Sequence, residues 1–482
     1  MHMKQKKDSV FGGVLWKIAE RFAVQGVEFV ISIVLARLLV PEAYGAVALV
    51  TAFIGFANVF VTDGFGTALI QKKDADTLDF STVFYFSIVL FLSLYGILWL
   101  AAPWIADFYD MPILKPVLRV LALKVPLAGV GSVQNAYVSR KMLFRYFFLT
   151  TSVAKVFSAV VGISMALAGC GVWALVGQEL SNTAMSALMV FLIMKWRPTW
   201  EFSFARLKVL FLYSWKLLAQ SLALQTYTEL RSLVVGKVYT ETDLAYYNSG
   251  SKYPHSIVKS VDTSMSAALF PAMSQAQNNP KRLLEITRKA VRFCSYAMSP
   301  LLVGLAVCAE DFTVVLLTEK WLPIVPYLQI ICACLLLRPA QTALLQAIKA
   351  IGRSDLVLKM DIPVRVVGIV TLAISVSFGV IWVAVSELLT EIVALGIYMV
   401  VSRKLVGYPI HKVLGDLLQN VALALVMGLA VVLVRPWLNF SSPLNLVISV
   451  CVGGATYLGI SLITRNPQLI YLWNKAKSIL IK

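Results

Sequence analysis

The residues of this chain best placed to do chemistry are ionisable groups set inside long apolar stretches. They are Lys17, Arg21, Glu28, Lys124, Lys155, Glu179, Lys216, Glu229, Arg231, Lys259, Asp262, Arg338, Asp361, Arg365, Glu387 and Glu391. A charge at the centre of a membrane helix costs ~2.5–3.5 kcal/mol on insertion scales, so such groups face a cavity or a partner rather than lipid. Lys124, Lys155, Arg231 and Arg338 have no acidic neighbour at helical spacing. They are expected to face a water-filled central cavity, which cations from both halves of the chain would make net positive. A positive lumen suits an anionic cargo such as a phosphate or diphosphate, whose oxygens an Arg grips with two parallel hydrogen bonds. Arg365 joins this set, although Asp361 four residues before it can pair with it on one helix face.

Four carboxylates, Glu28, Glu229, Asp262 and Glu391, are the ion-coupling candidates, with H+ or Na+ as the coupling ion. A desolvated carboxylate can alternate between protonated and free forms; the competing role for each is a structural partner for a nearby cation. Lys17, Arg21 and Lys216 fall near the cytoplasmic ends of their spans. They either snorkel to the headgroups or, with Glu28, line a cytoplasmic mouth. Arg37 and Lys237, at the outer ends, face the same choice. Lys259 and Asp262 are spaced to pair, whereas Glu229 and Arg231 are too close in sequence to share a helical face.

Enzyme chemistry has no foothold. There is no Walker A sequence, no HExxH and no nucleophile elbow, so no catalytic residue and no cofactor is expected. Gly64-Phe65-Gly66 reads as a turn. The three histidines, 2, 255 and 411, match no metal spacing, and Cys332-Ala-Cys334 lacks a second pair or a histidine nearby. The six cysteines read as small buried hydrophobes and no metal site is expected.

The elements that must position these groups are membrane helices. The chain has 482 residues, 59% hydrophobic and only 14% charged, with mean hydropathy +0.79; an average soluble domain carries about 25% charged residues. Apolar runs recur from end to end. Fourteen spans are predicted near 13–38, 44–65, 81–104, 115–138, 146–168, 171–193, 209–237, 245–272, 288–309, 322–348, 357–378, 380–401, 414–434 and 444–464. Each is long enough to cross ~30 Å of hydrocarbon. The loops between them are too short to hold a soluble enzyme domain. With the N-terminus inside, Lys72-Lys73, Arg140-Lys141, Lys195-Arg197, Lys281-Arg282, Arg288-Lys289, Arg353, Arg403-Lys404 and Arg465 fall on one side. That is the positive-inside pattern with both termini cytoplasmic. It accounts for most of the +18 net charge without nucleic acid; anionic lipid headgroups are a secondary attraction. No cleavable signal follows Lys4, Lys6 and Lys7, and residues 468–482 read as an interfacial helix.

The chain also repeats itself. Lys17, Arg21, Gln25, Glu28 and Ser32 fall within an arc of roughly 80° at ~100° per residue, a polar stripe on an apolar helix. Trp215-Lys216, Gln225 and Lys237 echo Trp16-Lys17, Gln25 and Arg37. Lys124-x-Pro126 then Arg140, Lys155, Gly171-Val172-Trp173 and Glu179 are echoed by Arg338-Pro339 then Arg353, Arg365, Gly379-Val380-Ile381-Trp382 and Glu387. The fold expected is an all-α polytopic membrane protein of about fourteen helices. Two six-helix bundles, 1–200 and 201–405, are related as a parallel repeat, and 406–482 adds two helices and a tail. Substrate sites of such transporters lie at the repeat interface.

Several stretches resemble a known family. VLARLLVPEAYG (34–45), TDGFGTALIQKKD (62–74), AYYNSGSKYP (245–254), ALFPAMSQ (268–275) and AIGRSD (350–355) are similar, in order and spacing, to polysaccharide flippases of the multidrug/oligosaccharidyl-lipid/polysaccharide exporter superfamily. Lipopolysaccharide, colanic-acid and teichuronic-acid exporters are the most similar. The resemblance implies two six-helix lobes forming a V, a cargo of undecaprenyl-diphosphate-linked oligosaccharide, and alternating access driven by an ion gradient. It also implies a bacterial inner-membrane location, membrane lipids as surroundings, and a polysaccharide polymerase and glycosyltransferases as partners. In the related peptidoglycan-precursor flippases, a first-span Arg-Asp pair and an eighth-span Arg are functional. Ile31-Ser32 stands at the first position here, the repeat copy offers Arg231-Ser232, and Lys252 approximates the eighth-span cation. That departure argues against a peptidoglycan precursor as cargo.

The leading reading is therefore a lipid-linked oligosaccharide flippase, with Lys124, Lys155, Arg231, Arg338 and Arg365 holding the diphosphate and acidic sugars. Two others compete: a small-molecule or drug antiporter of the same fold, whose cavity should be more acidic or aromatic, and a non-transporting scaffold for glycan assembly.

Overall fold

A computed structural model describes residues 24–62, 65–72, 74–140, 144–194, 196–437 and 440–470. Lys17, Arg21, Gly64 and the tail beyond Ile470 lie outside the described residues. Everything described is helix or connection, with no strand among these residues.

Helix α1 covers residues 24–38. It is followed by α2 (Pro41–Thr62), α3 (Phe65–Gln71), α4 (Thr77–Phe108), α5 (Leu114–Leu121), α6 (Lys124–Arg140), α7 (Phe144–Leu167) and α8 (Val172–Ile193). Then come α9 (Phe204–Val238), α10 (Glu241–Gln275), α11 (Pro280–Val307), α12 (Ala309–Leu316), α13 (Val325–Leu335) and α14 (Arg338–Ala350). The series ends with α15 (Ser354–Ser375), α16 (Val380–Leu405), α17 (Ile410–Val434) and α18 (Ser442–Ile463). Phe65 and Gly66, expected in a turn, instead open α3, whose Phe65 and Leu69 pack under Phe80, Val83 and Val133.

Among the described residues, nine helices or merged helix pairs are long and apolar enough to cross a membrane, ten if the bent α9 is one span. The chain is a multi-pass membrane protein. The long helices α8, α10 and α15 fall outside that set because their sequences carry the polar and charged residues singled out above. With those three, α9 and α1, the helices are consistent with the fourteen spans expected. Polar membrane helices are where function is sought.

The chain divides into two compact units, Met1–Ala245 and Tyr246–Lys482. In the first, α7 packs on α8, α6 on α4 and α8, and α2 on α9. In the second, α11 packs on α17 and α14, α15 on α16, and α16 on α13 and α14. Lipid offers no hydrophobic contrast, so membrane helices associate by close van der Waals fit. Gly45 shows this: a Cβ there would meet the Glu241 carbonyl oxygen at 2.0 Å, and a backbone atom cannot swing aside.

Candidate functional site

In each unit the site grows from a proline that breaks a span. In the first unit Pro126 has no N–H for the Ala122 carbonyl, and the Val125 N–H takes that oxygen at 2.9 Å instead. The span therefore ends as α5 and restarts as α6 with Lys124 as its first residue. A cation at a helix N-terminus opposes the helix dipole. Glu179 of α8 offsets it: Lys124 Nζ donates to Glu179 Oε2, with Lys124 15% exposed.

The second unit repeats the arrangement. Pro339 leaves the Leu335 carbonyl without its usual donor, and the chain turns through 3.4 Å bonds from Leu336 to Ala333 and from Leu337 to Cys334. Arg338 opens α14, and its Nη2 lies 3.3 Å from Glu391 Oε1 on α16. The Arg338 side chain keeps 40% of its surface accessible and Glu391 only 11%. Asp262 of α10 and Glu387 of α16 also lie within electrostatic range of Arg338. One turn into α14 the Thr342 hydroxyl donates to Asp262 Oδ1 at 2.9 Å, and Gln346 Nε2 donates to Ser266 Oγ at 2.9 Å. Gln341 Nε2 donates to the Glu391 carbonyl at 2.9 Å. His255 Nε2 is 3.4 Å from Glu387 Oε1. These groups form one polar seam along α10, α14 and α16. Tyr398 extends its reach to the 2.9 Å Arg365–Asp361 pair on α15, lying within electrostatic range of both and of Arg338 and Glu391.

The remaining candidates are more scattered. Lys155 Nζ of α7 is 3.5 Å from Glu28 Oε2 of α1, with Glu28 53% exposed. Beside this pair runs an apolar groove of about 530 Å³ lined by Val27, Val30 and Ile31 of α1 and Val156, Ala159 and Val160 of α7. Glu229 accepts from Gln225 Nε2 at 3.0 Å on its own helix. Arg231 is half-buried on α9, while Lys216 on α9, Lys252 on α10 and Lys259 on α10 are exposed. Asp262 does not take Lys259 as its partner; it turns to Thr342 and Arg338.

The expectation of cations without acidic neighbours therefore needs correcting in space. It holds along the chain for Lys124, Lys155 and Arg338, but Glu179, Glu28 and Glu391 reach each of them from another helix. Around Arg338 the carboxylates Asp262, Glu387 and Glu391 outnumber it. Sequence reasoning passed over His255 because it matched no metal spacing, and gave Glu179 and Glu387 no role. The signal for these two carboxylates was present: Glu179 follows Gly171-Val172-Trp173 and Glu387 follows Gly379-Val380-Ile381-Trp382 in the sequence, and each meets a basic residue.

The family description "Polysaccharide biosynthesis protein" matches residues 34–326, more than half of the chain. The chain belongs to that family. It is 23% identical over 313 residues to the succinoglycan biosynthesis transport protein ExoT of Rhizobium meliloti, covering 65% of this chain and 63% of that protein's length. It is 25% identical over 430 residues to the teichuronic acid biosynthesis protein TuaB of Bacillus subtilis, covering 86% of each. Among solved structures it resembles the lipid II flippase MurJ in an inward closed conformation, with a TM-score of 0.74 at 16% identity over 94% of this chain and 99% of that one. At that identity the likeness establishes the fold. The all-helical multi-pass fold expected from the sequence agrees with that likeness.

Proposed function

We propose that this chain is a flippase, not an enzyme, carrying undecaprenyl-diphosphate-linked oligosaccharide from the cytoplasmic to the outer leaflet of a bacterial inner membrane. Both termini are cytoplasmic in this reading. The repeats are 1–200 and 201–405, and 406–482 is an addition to them. The observation that carries the proposal is the basic residue at a proline-broken span, held by a carboxylate from a neighbouring helix: Lys124 on Glu179, Arg338 on Glu391. Family membership and the transport protein among its relatives support it.

The pairing suggests how cargo and ion are coupled. A cation bound to a carboxylate is occupied; protonating that carboxylate, or giving it Na+, releases the cation for a diphosphate. Lys155–Glu28 in the first unit and Arg338–Glu391 in the second, the latter with Asp262 within electrostatic range of Arg338, are the pairs that would open. Lys124, Arg231 and Arg365 complete the anion-binding set, and Arg21, Lys216 and Lys252 attract cargo at the mouth. Glu229 stays with Gln225 until an ion arrives. The groove beside Lys155 presents an apolar wall next to a cation, which suits an isoprenoid chain behind its diphosphate. A polymerase and glycosyltransferases would act on either side of the step.

Neutralising Lys155 and Arg365 together (Lys155→Gln, Arg365→Gln) is expected to abolish surface polysaccharide while membrane levels of the protein hold. Unchanged polymer output would remove the proposed site. The acid excess around Arg338 also suits a cationic cargo, which is the one observation favouring a drug antiporter. Against it, Asp262, Glu387 and Glu391 each already have a protein partner.

A further inference from the structure

A separate cluster lies in the second unit, where α11 and α17 pack. Asp416 of α17 is almost fully buried and receives two guanidinium groups from α11. Arg288 Nε donates to Oδ2 at 2.7 Å and Arg292 Nε to Oδ1 at 2.7 Å, with Arg288 Nη2 3.3 Å from Oδ1. The Tyr408 hydroxyl, from the loop between α16 and α17, adds a 2.6 Å bond to Oδ2. Asn420, one turn on, ties α17 to α11 through the Arg292 carbonyl at 3.0 Å and Ser295 Oγ at 2.7 Å. One carboxylate thus holds two cations, leaving a net positive charge on a rigid frame.

Both arginines spend the same edge, Nε and Nη2, on Asp416. Their Nη1 groups take no part in these bonds, and the side chains remain 40% and 29% exposed. Two guanidinium groups on one carboxylate repel each other, and a second anion at their outer edge would relieve that repulsion. The neighbourhood supplies more positive charge: Lys289 on α11, Arg403 and Lys404 in the last turn of α16, and Lys412 in the first turn of α17 are exposed.

Depth identifies the anion. At ~1.5 Å rise per residue Arg288 stands about 28 Å from Val307 along α11, and Asp416 about 27 Å from Val434 along α17. The hydrocarbon of a bilayer is ~30 Å thick. With the far ends of both helices at one boundary, the cluster lies at the other, among the phosphates. We propose that Arg288 and Arg292, clamped on Asp416, form a binding site for the phosphodiester of an anionic phospholipid. The inference does not depend on what cargo the protein carries.

The test uses the full chain purified in a neutral detergent, titrated with phosphatidylglycerol, phosphatidylcholine or inorganic phosphate. Melting temperature and native mass spectrometry are the readouts. The wild type should rise in Tm with phosphatidylglycerol alone and retain it as a bound lipid. Arg288→Gln and Arg292→Gln should each bind it at least tenfold more weakly. Neutralising Lys404 and Lys412 should change the binding less than threefold. If the Gln variants fail to fold, Arg288→Lys keeps the charge on Asp416 but loses the fork, and should still bind several-fold more weakly. Undiminished lipid binding in the folded arginine variants would overturn the site. So would equal loss on neutralising Lys404 and Lys412, an equal Tm rise with inorganic phosphate, or displacement by equimolar undecaprenyl phosphate.

Discussion

At the scale of single residues, the question is why charges survive inside a membrane protein. Arg338 and Glu391 answer it by sharing the cost. Breaking a fully buried ion pair costs about 3–5 kcal/mol, because the remaining charge is stranded. Arg338 keeps 40% of its surface accessible, so the cost here falls at or below the lower end of that range. Glu391→Gln alone should therefore lower the melting temperature, and adding Arg338→Gln should restore most of it without restoring export. Thermal unfolding and surface polysaccharide measured on the same variants check this. A double variant that exports normally would make the pair structural only. Lys155–Glu28, longer at 3.5 Å with Glu28 53% exposed, should contribute little stability.

At the scale of elements, the proline-broken spans each open on a paired cation, Lys124 or Arg338, and further charge gathers at helix ends. The start of α4 is clamped to the start of α9: Arg206 Nη1 donates to Asp76, while Asp79, fully buried, takes Lys72 Nζ at 2.7 Å on both oxygens. The hydrogen bond from Arg206 holds the Asp76 carboxyl below its ordinary 3.8. Its contribution is present above that value and is lost as pH falls through the lowered one. At the opposite ends of the spans the sign reverses. Glu241, ahead of the 245–272 span, is pushed above its ordinary 4.5 by burial and then by the Glu42 carboxylate. Thr242 Oγ1 holds Glu42 in place at 3.1 Å. A raised carboxyl contributes most below pH 4.5, and that contribution is lost as pH rises through the folded value. Glu241→Gln should thus raise Tm by about 1–2 °C at pH 7 and leave it unchanged at pH 4. A gain of the same size at both values would contradict the assignment.

At the scale of the whole molecule, the readings divide on what crosses the membrane. A flippase predicts that a null strain loses surface polysaccharide, regains it with this chain, and gains no drug tolerance in a pump-deficient background. Restored tolerance to cationic drugs without restored polymer would move the protein to the antiporter reading. A scaffold would restore the polymer even when a cross-link between the repeats locks one conformation.

Much of this was legible along the chain. Apolar runs of membrane length and the order of motifs through 34–355 sufficed for an all-helical flippase-like fold, because a run of about 20 apolar residues spans hydrocarbon as a helix, satisfying its own backbone whatever its neighbours. Pairing within one helix was legible too, as with Asp361 and Arg365, since helical spacing brings them together. Partners from other helices were not. Lys124 and Glu179 are 55 residues apart, and Arg338 and Glu391 are 53 apart. No local periodicity says which faces of α6 and α8, or of α14 and α16, meet. Composition and hydropathy determined that this is a membrane protein and which residues inside it are costly. Only the packing of helices against one another decided which carboxylate neutralises which cation, because that depends on distances through space rather than along the chain.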